Sequence, residues 1–437
     1  MIIGLGETGL SFARFLSRLP AEQQQPVVVM DDSPRPERIE SLRQILPAAQ
    51  VTAIDAEALC LANAAYVSPG VPLASASLKA ARQAGIPLYG DVSLFGELAQ
   101  APIIGITGTN GKSTVTDLVN SIASRCMDGV RVGGNIGTPC LDILDDEARL
   151  YVLEVSSYQL ELASSIACEV AVVLNLAPDH LDRYESLESY YETKLSIYRH
   201  CRSAVINRDL AATLPAISAP RVASFGLGSP DNEGALGMRE AGGVVELTLA
   251  GQALLSSDEV LLQGNHNLLN IQAALATSWL MGFDMDAVLD VVRGYGGLPH
   301  RSQVVGRKAG VTYINDSKAT NPAAMIAAVR GQANGRNIHL IAGGVTKSAD
   351  FTQAAEELAA PVKSLHLIGE ARDELRSAFE GYLLFEDVQL EKAVVHASEL
   401  AEPGDVVLLA PGCASFDQFR DYVSRGIAFE RFVEALL

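Results

Sequence analysis

The sequence predicts a three-domain α/β protein built on parallel sheets. Its 437 residues exceed what a single core holds, since one domain accounts for roughly 150. Short β-branched runs alternate with Ala/Leu-rich amphipathic segments across glycine turns, the pattern of strand–helix–strand folds. A punctuating run, Gly294-Tyr295-Gly296-Gly297-Leu298-Pro299, interrupts that alternation before it restarts. The expected domains are residues 1–90, 91–297 and 298–437.

Within the first domain, Ile2-Ile3 opens a strand, and apolar runs at 27–30 and 66–68 supply two more. The second domain begins with Ala101-Pro102-Ile103-Ile104-Gly105-Ile106-Thr107, and strands follow at 150–155 and 170–176. Residues 213–251 are rich in Gly, Pro and Ser, with weak alternation at 244–249, which predicts a loop or a small antiparallel excursion. An Ala-rich helix is expected over 270–281. In the third domain, strands are expected at 311–315, 338–342, 364–368 and 406–410.

Charge narrows the function. The chain carries 33 basic and 52 acidic side chains, net -19, of which -14 falls between residues 91 and 297. Such a surface repels polyanions and argues against a nucleic-acid backbone binder. A bound phosphate must be captured by a few aimed donors or a metal. The six cysteines lie far apart without a Cys-x-x-Cys pair, fitting neither a disulfide framework nor a zinc ribbon. No apolar run reaches the ~18 residues of a membrane span, and Met1-Ile2-Ile3-Gly4 lacks the basic segment of a signal peptide. A soluble cytoplasmic protein with no membrane partner is the expectation.

The most informative segment is Gly105-Ile106-Thr107-Gly108-Thr109-Asn110-Gly111-Lys112-Ser113-Thr114, between an apolar strand and a helix expected to start near Thr114. Glycines let backbone N–H groups turn inward around a polyphosphate, Lys112 supplies a point charge, and a hydroxyl can ligate Mg²⁺. This reads as an ATP site formed by Gly108 to Thr114. It departs from Walker A spacing, because Ile106 stands five residues before Gly111 where that motif has Gly.

Thr107 to Ser113 resembles the ATP loop of the Mur ligases and their relative folylpolyglutamate synthetase. The resemblance extends through Gly133-Gly134-Asn135-Ile136-Gly137, Leu153 to Glu161, Asn175, Asp179-His180-Leu181-Asp182-Arg183-Tyr184, Tyr191 to Lys194 and Gly264 to Asn270. It continues through Leu298-Pro299-His300-Arg301, Asn315 to Asn321, Lys347 to Phe351 and Ala414 to Phe419. The branch it matches adds D-glutamate to UDP-N-acetylmuramoyl-L-alanine in peptidoglycan precursor synthesis. The resemblance therefore implies an ATP-dependent ligase in which a carboxylate attacks the γ-phosphate and an amine attacks the resulting acyl phosphate. Alternatives are another Mur ligase or folylpolyglutamate synthetase and, from a different class, a dinucleotide-binding redox or sensor protein. A monomer is expected by analogy.

On that resemblance, catalysis falls to Lys112, Glu154, His180 and Lys194. Glu154 ends an apolar strand, at the edge where open α/β sheets bind ligands, and with Ser113 it would hold Mg²⁺ between the β- and γ-phosphates. His180, flanked by Asp179 and Asp182, would ligate a second Mg²⁺ or touch substrate. Lys194 by spacing alone reads as a surface lysine; the resemblance implies instead a CO2-derived carbamate able to ligate Mg²⁺. Asn270, Arg301 and Asp316 would contact adenine and ribose, gripping ATP from two domains. Asn135 and Ser156 would contact phosphates or the sugar substrate.

The N-terminal segment Gly4-Leu5-Gly6-Glu7-Thr8-Gly9 is a literal Gly-x-Gly-x-x-Gly, with Asp31 at the end of the next apolar run. Alone it suggests a dinucleotide. A UDP-sugar also carries a diphosphate, and nothing else suggests hydride chemistry, so a Rossmann-like UDP domain is favoured; the resemblance implies Glu7, Thr8, Asp31, Asp32, Ser33 and Gly70 as its contacts. In the third, also Rossmann-like, domain, the resemblance implies that Lys318, Thr320, Lys347, Ser415 and Phe419 hold D-glutamate; the cations and hydroxyls among them suit a dicarboxylate. One departure stands out: Gly343-Gly344-Val345-Thr346-Lys347 lacks the Asp that usually follows Gly-Gly in the family.

Overall fold

The computed structural model describes residues 1–20, 22, 25–163, 166–179, 183–210, 217–262, 264–346 and 349–436. His180 and Lys347 lie outside the described residues. The chain forms two compact units, one of residues 1–256 and 270–293, the other of 257–269 and 294–437.

The first unit contains three sheets. Strands β1 (Ile2–Ile3), β2 (Val28–Met30), β3 (Gln50–Thr52), β4 (Ala65–Val67) and β5 (Leu88–Tyr89) form a parallel sheet in the order β3-β2-β1-β4-β5. The order reverses between β1 and β4, where doubly wound sheets open a crevice at their carboxyl ends. Strands β6 (Ile103–Thr107), β7 (Val130–Gly134), β8 (Leu150–Glu154), β9 (Val170–Val173), β10 (Ser203–Asn207) and β11 (Arg221–Phe225) form a second parallel sheet, β11-β10-β9-β6-β8-β7. Every residue of β6, β8 and β9 is buried, which is why these strands read as unbroken apolar runs.

Residues expected as a loop or small excursion do more than that. β11 extends the parallel sheet, while β12 (Leu236–Ala241), β13 (Val244–Leu249) and β14 (Gln252–Ser256) form an antiparallel meander. The flanking Pro and Ser residues hid β11, which pairs with β10 and has three buried residues. The following helix, Asn265–Met281, starts earlier than its Ala-rich part suggested.

One continuous core joins the first two sheets: Phe12, Val92 and Phe95 pack with Tyr151, Leu153 and Ile166. Each fully buried side chain of this size contributes about 1.5–3 kcal/mol. Polar ties reinforce it. Arg14 Nε donates to Asp142 Oδ1 at 2.9 Å, Gln159 Nε2 to Asp91 Oδ2 at 2.7 Å, and Arg183 to both Glu161 oxygens and the Val71 carbonyl.

The second unit holds β15 (Gln303–Lys308), β16 (Val311–Asn315), β17 (Ile338–Gly343), β18 (Val362–Ile368), β19 (Leu384–Val388) and β20 (Val406–Leu409), ordered β15-β16-β20-β17-β18-β19. All pairings are parallel except β15 with β16. The edge strands β15 and β19 escaped the sequence reading because both are half-exposed and interrupted by polar residues. All six cysteines are free, and among the described residues no helix is long and apolar enough to cross a membrane.

Candidate active site

The phosphate loop follows β6, the middle strand of the second sheet, and the helix Lys112–Cys126 begins at its lysine. Gly111 caps that helix at φ 81°, and a Cβ there would stand 2.4 Å from Asn270 Oδ1. Glycine avoids that clash, and Asn270 stands against the loop. The far side is held by Asn175, just after β9: its Oδ1 accepts from Asn110 N–H at 2.8 Å and its Nδ2 donates to Asn110 O at 2.9 Å. Thr109 Oγ1 lies 3.1 Å from Ala177 O and 3.2 Å from the Tyr190 hydroxyl.

Two lysines converge on one carbonyl. Lys112 Nζ and Lys194 Nζ each lie 2.9 Å from Gly108 O. Lys194 is 2% exposed, and its Nζ sits over the Tyr190 ring at 4.9 Å. The surface position suggested by its spacing on the helix Leu187–Leu195 is therefore corrected. Burial, and then the charge of Lys112, hold its ammonium well below the ordinary lysine range.

Glu154 closes β8 beside the loop. Asn135 Nδ2 donates to its Oε1 at 2.6 Å, while its Oε2 is buried and accepts no hydrogen bond among the described residues. A buried carboxylate oxygen left unpaired is costly unless a cation meets it. Together with the Ser113 hydroxyl, also buried, this donor set fits a hard divalent cation such as Mg²⁺.

A cavity of about 450 Å³ opens at the carboxyl end of the first sheet. It is lined by Gly4 to Thr8, Asp31, Ser68 to Val71, Gly134, Asn135, Gly137, Pro139 and Gln159. Gly9 lets the helix Glu7–Ser17 approach β1, for a Cβ would stand 2.1 Å from Gly4 O. That helix lacks a side-chain cap at Gly6, the arrangement that receives a phosphate. Glu7, Thr8, Asp31, Gly70 and Asn135 thus share one cavity. Asp31 braces its wall, accepting from Leu5 N–H at 2.7 Å and Ser33 N–H at 2.8 Å. Asp32 and Ser33 are outside the lining; Asp32 accepts from Ile54 N–H. Ser156 is also outside it, its hydroxyl capping the helix Ser157–Leu160.

In the second unit, Asp316, Lys318 and Thr320 follow β16 and Ser415 follows β20. Burial pushes the Asp316 carboxyl up to about 6, against the Ser302 hydroxyl and the Arg301 charge. Lys318 Nζ lies over the Tyr422 ring at 4.2 Å. Ser415 is 2% exposed, and Phe419 is partly buried against the Val311 and Phe429 cluster. These loops share a hub that escaped the sequence reading. Arg425 is 1% exposed and donates to Ser317 Oγ, Ser317 O, Gly343 O and Cys413 O at 2.8–3.4 Å. Its four-residue spacing from Phe429 and Val433, both buried, was the available signal.

Known proteins resemble the chain over its whole length. A UDP-N-acetylmuramoylalanine--D-glutamate ligase from Pseudomonas fluorescens Pf-5 is 42% identical, spanning 100% of this chain and 98% of the relative. The chain belongs to the Mur ligase family. The same-named ligases of Pseudomonas aeruginosa PAO1 and Marinobacter nauticus VT8 are each 41% identical with the same coverage. Along this Mur ligase, "Mur ligase MurD-like, N-terminal domain" matches residues 1–90, "Mur ligase middle domain" 106–278 and "Mur ligase, glutamate ligase domain" 300–413. Solved structures agree on the fold. A Thermotoga maritima MurF ligase in complex with ADP covers 97% of the chain, and is itself covered to 99%, at TM-score 0.62 and 18% identity. A Methanothermus fervidus pseudomurein peptide ligase type C covers 100%, and is covered to 99%, at TM-score 0.60 and 17% identity.

Proposed function

We propose that this Mur ligase forms the amide bond between the carboxylate of UDP-N-acetylmuramoyl-L-alanine and the amine of D-glutamate. ATP is consumed to ADP and phosphate, in cytoplasmic synthesis of peptidoglycan precursors. The observation that carries the reading is the single cavity that runs from the diphosphate turn, Gly4 to Thr8, to Asn135, whose amide holds Glu154. A UDP-sugar seated by its diphosphate on the first sheet directs its distal carboxylate toward the rim of the second.

The division of labour is residues 1–90 for the uridine diphosphate, 91–297 for ATP and metal, and 298–437 for the amino acid. The loop N–H groups, Lys112 and the N-terminus of helix Lys112–Cys126 receive the phosphates, with Asn270, Arg301 and Asp316 on the nucleoside. The substrate carboxylate oxygen bonds to the γ-phosphorus as the bond to ADP breaks. The D-glutamate nitrogen then bonds to the acyl carbon, and phosphate departs. Glu154 and Ser113 would hold Mg²⁺, which supplies charge neutralisation at the phosphates when bound. Lys318, Thr320 and Ser415 answer the carboxylates of D-glutamate, in loops braced by Arg425. His180 and Lys347 belong to the same proposal as metal and carboxylate partners.

Lys194 is proposed to carry a CO2-derived carbamate. Its burial favours the neutral amine that reacts with CO2, and the product would be an anion near Lys112. Carbon-13 NMR with labelled bicarbonate reads this directly: a carbamate resonance lost in Lys194→Met is expected, and its absence from active enzyme overturns it.

Phosphate release with ATP, Mg²⁺, UDP-N-acetylmuramoyl-L-alanine and D-glutamate tests the overall reaction. Omitting any component, or substituting L-glutamate, lysine or a folate, should abolish turnover. Turnover without D-glutamate, or with a folate in place of the UDP-sugar, refutes the assignment.

A further inference from the structure

Three of the seven histidines meet on the β17, β18 and β19 side of the last sheet, apart from the loops that hold the amino acid. They form a chain of contacts with a serine and two aspartates. Asp405 Oδ2 lies 3.1 Å from His339 Nε2, and His339 Nδ1 lies 2.7 Å from Ser364 Oγ. Ser364 Oγ lies 2.9 Å from His366 Nε2, and His366 Nδ1 lies 2.7 Å from Asp387 Oδ2. The other Asp387 oxygen lies 2.9 Å from His396 Nδ1.

This chain is one proton short. Four hydrogen bonds link the two carboxylates, and each requires a proton between its heavy atoms. Two neutral imidazoles and one hydroxyl supply three. Asp405 is an acceptor, since Lys363 Nζ and Glu402 N–H also donate to it at 2.9 and 2.8 Å. Protons therefore run from His339 to Asp405, from Ser364 to His339 and from His366 Nε2 to Ser364. A bare His366 Nδ1 is left facing a carboxylate. A proton there, on His366 as an imidazolium or on Asp387 as a carboxylic acid, would complete the chain, but His339 and His366 are 1% and 0% exposed, where a charged ring is costly. A metal cation at the Asp387 end completes it equally well.

That end is open. His396 is one third exposed by its side chain, and a cavity of about 430 Å³ lies beside it, lined by Asp387, Gln389, Glu391, Lys392, His396 and Glu399 among others. Three carboxylates against one lysine favour a cation there.

We propose that His366 Nδ1, His396 Nδ1 and a carboxylate oxygen of Asp387 bind a divalent transition-metal cation of the Zn²⁺ class. Ligand atoms of the three residues lie within 4.8 Å of one another. Two imidazoles and one carboxylate suit Zn²⁺, with solvent from the cavity as a fourth ligand; Mg²⁺ prefers all-oxygen sites. Around a tetrahedral ion with bonds near 2.0 Å, ligands sit about 3.3 Å apart; the two imidazole nitrogens, now on different Asp387 oxygens at 2.7 and 2.9 Å, would exchange those contacts for bonds to the ion within the 4.8 Å that bounds all three residues. The His366 Nε2–H bond to Ser364 orients the ring as metal-bound imidazoles require. The ion would clamp the edge strand β19 to β18 and to the helix Leu390–Leu400, separately from the Mg²⁺ of the ligase reaction.

The test uses the full chain, stripped with EDTA and desalted, titrated with ZnCl2 against a chromogenic chelator and with CoCl2 by visible absorption. The wild type should hold one equivalent more than His396→Ala, or hold it at least about tenfold tighter, with a tetrahedral Co²⁺ band that His396→Ala lacks. Asp387→Asn separates metal binding from folding: the new amide can donate to His366 Nδ1. The metal-free variant should melt no lower than the metal-free wild type, yet show no Zn²⁺-dependent rise in Tm. Equal Zn²⁺ stoichiometry, affinity and Co²⁺ spectra in the wild type and both variants overturn the site.

Discussion

Asn135 Nδ2 donates to Glu154 Oε1 at 2.6 Å and leaves the second carboxylate oxygen buried and, among the described residues, without a hydrogen bond. The bond fixes the carboxylate's orientation, and the orphaned oxygen marks where a cation is wanted. Glu154→Gln keeps the shape and the Asn135 bond but removes the anion. Turnover should fall about 10³-fold, with a melting temperature no lower than the wild type's, measured by phosphate release over a Mg²⁺ series and by calorimetry.

Gly111 is crowded by Asn270 and sits at positive φ. Gly111→Ala should destabilise the fold by about 1–3 kcal/mol and weaken ATP binding, read by urea unfolding and nucleotide titration. Adding Asn270→Ala relieves the crowding but not the φ strain, so the double variant should recover only part of the stability lost to Gly111→Ala.

Arg425 ties the ends of β16, β17 and β20 together through oxygen acceptors alone. Burial pushes its guanidinium down to about 10. Arg425→Met leaves those acceptors unpaired and should cost about 3–5 kcal/mol. Arg425→Lys, with fewer donors, should raise KM for D-glutamate while the KM for ATP holds. Steady-state kinetics with each substrate varied checks the split.

Asp91 is 1% exposed, and burial raises its carboxyl above the usual range against the Gln159 bond. A raised acid binds more protons folded than unfolded, so its contribution to stability falls as pH rises from about 4 through the raised value. Asp91→Asn should remove that loss. The urea midpoint of the variant, relative to wild type, should be higher at pH 7.5 than at pH 4.5.

The chemistry that lies within one stretch of chain was legible in the sequence. The phosphate loop, the Gly4 to Gly9 turn and the apolar strands announce themselves through glycine spacing and β-branched runs, because backbone conformation and strand burial act over a few residues. Edge strands β15 and β19 did not, since half-exposed strands carry polar residues that break the pattern. The capping role of the Ser156 hydroxyl belongs to the helix it precedes.

Protonation and partnership were decided only in three dimensions. Lys194 reads as a surface lysine until Tyr190 and the carbonyl of Gly108, 86 residues away, enclose it. Arg425 and the His366–Asp387–His396 cluster likewise draw on strands and helices far apart in the chain. The reason is physical: the charge state of a side chain depends on how much water its neighbours exclude and which dipoles they aim at it. Those neighbours are chosen by the packing of sheets and helices, whereas the order of residues along one segment sets only its local geometry.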